Sequence, residues 1–205
     1  MRATAWTDGY TPCIPSGLEA ESGALMATRV RFTTFPRTES PPSATAEIIA
    51  VFSKHEPLIG TLTREKGLTS DAVLAELRAD LLQLGFIVEG GKLAAQKIKR
   101  PVFFGENGSP ALQYQIDAYH PEWRFGLEIE AGRAWMGNAI YRDLVQALVM
   151  VDLDCLALAV PNSYRYQTGG RTVLSKDYDS TISVADALYG HTRIRMPYRL
   201  IVIGY

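Results

Sequence analysis

Three acidic residues lie close together in the middle of the chain, in two short segments that are otherwise rich in apolar residues. Asp117 belongs to the segment YQIDAY, and Glu128 and Glu130 belong to the segment FGLEIE. Side chains of a strand point alternately to its two faces, so this pattern is typical of a hairpin with one polar and one apolar face. If Tyr119 pairs with Arg124 across the turn, the three carboxylates share one face. The opposite face then carries only apolar residues and would face the core, namely Ile116, Ala118, Phe125, Leu127 and Ile129.

A hairpin face with three carboxylates is electrostatically unfavourable unless a cation binds there. Like charges that face each other across strands destabilise a sheet by about 0.2–1 kcal/mol per pair. Mg²⁺ binds oxygen ligands and is usually held by one or two carboxylates together with water. Asp117, Glu128 and Glu130 therefore predict a divalent-metal site. The alternative is that they line a solvated face of an exposed hairpin, but the apolar segments on either side favour the metal site.

The elements on either side of the hairpin must hold these acids in place. Thr69 begins the stretch TSDAVLAELRADLLQLGF, whose leucines recur at helical spacing, and residues 136–150 predict a second helix. Residues 153–160 are continuously apolar, which is typical of a strand buried on both faces. Strand, helix and buried strand in this order predict a parallel β-α-β unit. The expected fold class is α/β or α+β, with a central mixed β-sheet flanked by helices.

This arrangement of elements and acids resembles the core of the PD-(D/E)xK, restriction-endonuclease-like superfamily. Ile116 and Asp117 correspond to the "PD", and Glu128, Ile129 and Glu130 correspond to the "(D/E)xK". The resemblance covers residues 69–160. It implies a restriction-endonuclease-like core in which Asp117 and Glu128 bind Mg²⁺, for which Mn²⁺ can substitute.

The motif departs from the family pattern at its last position, where Glu130 stands in place of lysine. The Glu-x-Glu form is similar to the BamHI-type subgroup, in which the third acid acts as a base or as a ligand of a second metal. The resemblance therefore implies that Asp117, Glu128 and Glu130 are the catalytic residues as well as the metal ligands.

Several functions stay open at this point. The first is a Mg²⁺-dependent endonuclease of the type II restriction kind that hydrolyses phosphodiester bonds in DNA, as a homodimer because each strand of a duplex needs its own active site. The missing lysine keeps open a catalytically inactive module of nuclease fold that binds nucleic acid or another protein. An α/β enzyme acting on another phosphate ester or on a small molecule would use the same acids.

Other polar residues are candidates for a supporting role. Glu76 on the helix before the hairpin is a possible further acid, and Arg133 after the glutamates is placed to neutralise the acidic cluster or the charge on phosphate. The alternatives are a solvated helix face for Glu76 and a structural ion pair with Glu130 for Arg133. Candidate nucleic-acid-binding residues, for which ordinary solvated charge is the alternative, are Lys97, Lys99, Arg100, Arg165 and Arg171.

The charge balance of the whole chain limits the kind of partner it binds. Of the 205 residues, 21 are Lys or Arg and 22 are Asp or Glu, so the formal net charge is −1. This value excludes a generally polycationic nucleic-acid binder. Positive charge is concentrated late in the chain, because residues 164–199 contain six basic and three acidic residues. A basic surface confined to one face of the molecule is therefore expected.

The chain divides into an arm and one domain. Residues 1–42 hold five of the 11 prolines, which is typical of an extended N-terminal arm, and Met26 is an alternative start. Residues 43–205 form a single nuclease-like domain with its core in residues 69–160. Two cysteines without a ligand or disulfide pattern, and the lack of a long apolar stretch, lead us to expect a cytoplasmic protein with no membrane association.

Overall fold

The computed structural model describes residues 29–64, 67–132 and 138–205. The part of the predicted arm that precedes residue 29 lies outside the described residues. The described residues form ten strands and four α-helices. In chain order these are β1 (Arg31–Phe35), α1 (Thr45–Ile59), α2 (Ser70–Gln83), β2 (Ile87–Val88), β3 (Ile98–Phe104), β4 (Pro110–Ile116), β5 (Ala118–His120), β6 (Phe125–Ile129), α3 (Ala139–Val149), β7 (Cys155–Val160), β8 (Tyr164–Thr168), β9 (Arg171–Ser175), α4 (Asp177–Gly190) and β10 (Arg199–Gly204).

Six of these strands form the central sheet, in the order β1-β10-β7-β6-β5-β2. Strands β6, β7 and β10 are parallel, whereas β1, β5 and β2 each run antiparallel to their neighbour. Strand β7 is the continuous apolar run of the sequence, and all six of its residues are buried. The sheet is therefore mixed, and the predicted β-α-β unit is present as β6, α3 and β7.

Helices cover both faces of the sheet. Helices α1 and α2 bury Phe52 and Leu77 against one face, together with Leu127 of β6. Helices α3 and α4 bury Leu144 and Ala185 against the other face. The predicted central mixed sheet flanked by helices is confirmed. No helix in the described residues is long and apolar enough to cross a membrane.

The amino terminus of α2 shows how local sequence begins an element here. Thr69 has extended backbone angles, and its side chain accepts a hydrogen bond of 3.3 Å from Ala72 N. This is the N-cap that a threonine before a helical pattern predicts. The cap and the leucine spacing together explain why this helix was found at its predicted position.

The register of the β5–β6 hairpin differs from the predicted one. Tyr119 pairs with Gly126 instead of Arg124, because His120 is still in the strand and pairs with Phe125. The turn therefore begins one residue later and ends with Arg124 in the left-handed region at φ 48°. The pairing therefore shifts by two residues, an even number, so the side chains of β5 and β6 keep their predicted faces.

The predicted continuous strand over residues 111–119 is wrong, because it is interrupted at Asp117. Strand β4 ends at Ile116 and pairs with β3, whereas β5 begins at Ala118 and pairs with β6. Ile116 was predicted to share an apolar face with Ala118, but the two belong to different cores on opposite sides of the sheet. The bend at Asp117 turns the chain between these two pairings.

Two hairpins lie outside the central sheet as separate two-stranded ribbons, β3–β4 and β8–β9. Strand β4 runs into β5 at Asp117, and β8 follows the end of β7. Because β6 and β7 are parallel and β5 is antiparallel to them, both ribbons leave the sheet at the edge formed by the carboxyl ends of β6 and β7. Residues 31–35 of the predicted arm form β1, an edge strand of the central sheet that buries Phe35.

Gly126 is required by the close packing of Ile116, the residue before Asp117. A Cβ atom at position 126 would lie 2.3 Å from Ile116 Cδ1 and 2.6 Å from Leu153 Cδ1. We expect Gly126→Ala to lower the free energy of unfolding by about 1–3 kcal/mol, because a buried site would be overpacked. Urea unfolding followed by circular dichroism measures this change.

The matched control is Gly190→Ala at the end of α4, where an added Cβ would meet no atom within 4 Å. This control should be neutral or stabilising by up to about 1 kcal/mol, because alanine is a better helix former than glycine. Equal stability of the two variants would contradict the packing role given to Gly126.

Candidate active site

A polar cavity of about 360 Å³ opens at the edge of the sheet where β6 ends. Strands β4 and β6 and helix α3 form its walls. Asp117 and Glu128, two of the three predicted acids, lie in it together. The other lining residues are Glu89, Lys97, Gln113, Tyr114, Gln115, Ile116, Arg142, Asp143 and Gln146.

Asp117 is held in place by the backbone on both sides of it. Its Oδ2 accepts a hydrogen bond of 2.8 Å from Ile129 N, and its carbonyl oxygen accepts one of 2.8 Å from Glu89 N. Burial raises the pKa of Asp117 to about 6, although the bond from Ile129 opposes that rise. The carboxyl group is therefore fixed in position while its charge is poorly compensated.

Glu128 is the one residue of β6 that is not fully buried, and its side chain lies on the α3 side of the sheet. Burial raises the pKa of Glu128 well above its usual range, and the charges of Asp117 and Asp143 raise it further. Asp117 and Glu128 thus repel each other at the floor of the cavity.

Glu130 lies next to this pair but is engaged by α3. Arg142 Nη2 is 2.9 Å from Glu130 Oε1, and Arg142 Nε is 2.9 Å from Asp143 Oδ1. Burial raises the pKa of Glu130 to about 8, and the neighbouring Asp143 carboxyl adds to this effect. Glu130 shares the predicted face, but its carboxylate is held by Arg142 and does not line the cavity.

Asp143 also lines the cavity, although it was not among the predicted site residues. Its side chain is 1% exposed, and among the described residues no donor reaches its Oδ2. A signal for it was present, because position 143 lies on the apolar stripe of α3 with Ile140, Leu144 and Ala147, all of them buried. A carboxyl group on the core-facing side of an amphipathic helix is costly to bury, which indicates a functional role.

A buried ion pair forms another wall of the cavity. Lys97 Nζ pairs with Glu89 Oε1, and Glu89 is 5% exposed. The bond to Glu89 raises the pKa of Lys97, and the charge of Asp117 raises it further. Lys97 was predicted to bind nucleic acid, and the structure places it beside the carboxylates. Glu89 carried no signal in the sequence, since its proximity to Asp117 depends on the pairing of β2 with β5.

The structure does not bring the remaining predicted residues into the cavity. Glu76 is exposed on α2, which packs on the opposite face of the sheet, so it does not reach the cavity. Arg100 pairs with Asp152 and lies over the ring of Tyr119, 3.8 Å from its centroid. Lys99 is exposed on β3.

The two late arginines are exposed and lie outside the cavity. Arg165 is on β8, and Arg171 begins β9. They therefore share one ribbon next to the site. Arg133 lies outside the described residues.

The donor set in the cavity suits a hard divalent cation. Asp117 and Glu128 supply carboxylate oxygens, and burial together with the charges of nearby acids raises the pKa of both, a cost that a bound cation would reduce. Within residues 29–64, 67–132 and 138–205, no three His, Cys, Asp or Glu side chains are grouped closely enough to hold a metal ion. The fit is therefore with a cation held by two carboxylates, with water or substrate completing its coordination.

Comparison with solved structures adds a structural likeness. The structure is similar to the crystal structure of the restriction endonuclease BglII complexed with a DNA 16-mer, with a TM-score of 0.49 and 9% sequence identity. The match covers 86% of this chain and 76% of that chain. No protein-family model matches the sequence, and no curated protein sequence matches it. The function of the site is therefore inferred from its own residues.

The raised pKa values predict that the metal-free protein loses stability as pH rises. Asp117 and Glu130 have pKa values of about 6 and about 8, above their ordinary values of 3.8 and 4.5. The folded state therefore binds more protons than the unfolded state in this range, so the free energy of unfolding falls with increasing pH. From about pH 5 to about pH 8 in EDTA we expect a loss of about 2–4 kcal/mol, measured by urea unfolding.

Glu128→Gln removes one of the repelling carboxylates and should raise the free energy of unfolding at about pH 8 by about 1–3 kcal/mol. Glu122→Gln, in the exposed β5–β6 turn, is the control and should not change the pH profile. If the free energy of unfolding of the wild type is constant or rises with pH, the pKa values of these carboxyl groups are not raised in the folded state.

Proposed function

We propose that this protein is a Mg²⁺-dependent endonuclease that hydrolyses phosphodiester bonds in DNA. The observation that supports it is the meeting of Asp117, Glu128 and Lys97 in one cavity, where two carboxyl groups and an ammonium group face the same space. Carboxylates at a sheet edge suit a cation, and the cation and the ammonium group together suit an anionic phosphate.

The metal would be held by Asp117 and Glu128. The chemistry that a bound Mg²⁺ would supply is polarisation of a phosphoryl oxygen and a lower pKa for a water molecule. Asp117 contributes an oriented oxygen, because the bond from Ile129 N fixes its carboxylate. Mn²⁺ is expected to replace Mg²⁺, since both take oxygen ligands.

We propose that Glu130 acts in general acid–base catalysis. Its pKa of about 8 is close to neutral pH, where a carboxyl group takes up and releases a proton most effectively in general acid–base catalysis. Arg142 bridges Glu130 and Asp143 and keeps the carboxyl group of Glu130 on the α3 side of the sheet.

Lys97 is assigned the role of the cation that the motif lacks. The sequence has Glu130 where the family pattern has lysine, and Lys97 brings an ammonium group into the same cavity from the residue before β3. The ion pair with Glu89 positions this ammonium group near Asp117. Its proposed function is to stabilise negative charge on the phosphate in the transition state.

Cleavage of supercoiled plasmid DNA in Mg²⁺ tests the proposed function. Asp117→Asn and Glu128→Gln should each lower the rate by at least about 100-fold, because each removes a metal ligand. Glu76→Gln, in the exposed face of α2, is the matched control and should cleave at the wild-type rate. Unchanged cleavage by Asp117→Asn would refute the assignment.

Calorimetric titration with Mn²⁺ separates an active enzyme from an inactive module. The wild type should bind Mn²⁺, and Asp117→Asn should not. A wild-type protein that binds DNA but neither binds Mn²⁺ nor cleaves would be the inactive nuclease-fold module.

Replacement of Lys97 tests the cation. Lys97→Met keeps most of the side-chain volume and should lower the cleavage rate by about 10–1,000-fold while leaving Mn²⁺ binding intact. The conservative variant Lys97→Arg should restore part of the rate. Loss of Mn²⁺ binding in Lys97→Met would indicate a purely structural role for the ion pair with Glu89.

Cleavage of both strands of a duplex requires two sites, so we also propose that the active species is a homodimer. Size-exclusion chromatography with multi-angle light scattering measures the molar mass of the purified protein in solution. A monomer that cuts both strands at one position would contradict it.

A further inference from the structure

The β8–β9 ribbon is a two-stranded hairpin that extends from the sheet edge next to the cavity. Five residue pairs join its strands, from Tyr164 with Ser175 to Thr168 with Arg171. Gly169 and Gly170 form the turn, with φ of 56° and 73°, as the tightest hairpin turns require. A Cβ atom on either glycine would meet nothing within 4 Å, so the tip of the ribbon lies in open space.

The two faces of the ribbon differ in exposure. Tyr164, Tyr166 and Val173 are half-buried and Ser175 is buried, and the two tyrosine rings are stacked 6.2 Å apart. The alternate positions on the other face are all exposed. This open face consists of Arg165, Gln167, Thr172 and Leu174.

The chemistry of the open face suits nucleic acid. It carries a guanidinium, an amide, a hydroxyl and one apolar side chain, and Gln167 Nε2 donates a hydrogen bond of 2.7 Å to Thr172 Oγ1 across the strands. In protein–DNA complexes, polar groups of these kinds contact base edges in the major groove, and apolar side chains contact the methyl group of thymine. The ribbon, residues 164–175, contains two arginines and no acid, so its net charge is positive.

The ribbon is anchored beside the carboxylates. Gly132, two residues after Glu130, packs against the ring of Tyr164, since an added Cβ there would lie 3.6 Å from that ring. Strands β6 and β7 are parallel, so the glutamates that end β6 and the ribbon that follows β7 share one edge of the sheet. A duplex that presents a phosphate to the cavity would therefore pass the ribbon.

We propose that the open face of the β8–β9 ribbon enters the major groove of duplex DNA and is the sequence-reading element of this protein. Arg165 and Gln167 contact base edges, and Arg171 at the tip contacts phosphate. A two-stranded ribbon fits the major groove of B-form DNA, whereas the deep and narrow major groove of A-form RNA does not admit it. The inference rests on the proposed function, because it is the cavity that brings DNA to this edge.

Binding to a fluorescein-labelled DNA duplex in EDTA, followed by anisotropy between about 50 and 200 mM salt, tests the ribbon without cleavage. Arg165→Ala should weaken binding about tenfold or more. Arg171→Ala should reduce the slope of log affinity against log salt by about 1. Arg193→Ala and Arg195→Ala are the matched controls, because these exposed arginines precede β10 and lie at the opposite edge of the sheet.

Selection from a randomised duplex library distinguishes base reading from simple attraction. Arg165→Ala and Gln167→Ala should relax the selected sequence at separate positions, whereas Arg171→Ala should weaken binding without changing the sequence. The side chains of Arg165 and Gln167 are exposed, so the thermal unfolding temperature of these two variants should equal that of the wild type.

The inference is overturned if the wild type does not bind duplex DNA, or if the ribbon variants bind it as the wild type does. A loss that appears only with duplex RNA, or equally in the Arg193 and Arg195 controls, overturns it as well. Plasmid cleavage in Mg²⁺ that depends on Asp117 but not on the ribbon would leave the proposed function standing while this inference fails. If neither the wild type nor any variant cleaves DNA, but DNA binding still depends on the ribbon, the proposed function fails while this inference stands.

Discussion

The hydrogen bond of 2.8 Å from Ile129 N to Asp117 Oδ2 connects the parts of the molecule that form the cavity. Asp117 lies at the bend between β4 and β5, and Ile129 is the last residue of β6. The bond therefore joins the point where the β3–β4 ribbon leaves the sheet to the end of the strand that carries Glu128. Because a backbone donor satisfies the carboxylate, the bend is stabilised even though the side chain is largely removed from water.

The same bond does not remove the electrostatic cost of the site. Asp117 and Glu128 lie with Asp143 in a region of low solvent access, where burial raises the pKa of Asp117 and of Glu128 and the charge of Asp143 raises both further. The protein offsets part of this cost with Lys97 and Arg142, each of which pairs with an acid at the margin of the cavity. The cavity therefore keeps an excess of buried acidic groups after both pairs form, and this excess is the basis of the proposed cation site.

The order of elements and the face of the acids could be predicted from the sequence, because both depend on short-range patterns. The alternation around Asp117 and Glu128 fixes their common face in any register that keeps the apolar side buried. The break at Asp117 could not be predicted, since it depends on β4 finding a different partner from β5. Glu89 and Lys97 reach the cavity through pairings that are distant in sequence, so no local pattern indicates them. Asp143 is different, because its place on the apolar stripe of α3 was visible in the sequence.

The position of β10 in the sheet has a consequence for folding kinetics. This strand lies between β1 and β7, and it pairs Gly204 with Arg31 at one side and with Val160 at the other. The pairing with β1 is the most distant in sequence of any in the sheet, and closing so long a loop is slow. Strand β1 has no other partner in the described sheet, so it can dock only after β10 is in place. Strand β1 should therefore be the last part of the sheet to acquire protection from hydrogen exchange during refolding, and the cavity beside β6 would form before the sheet is complete.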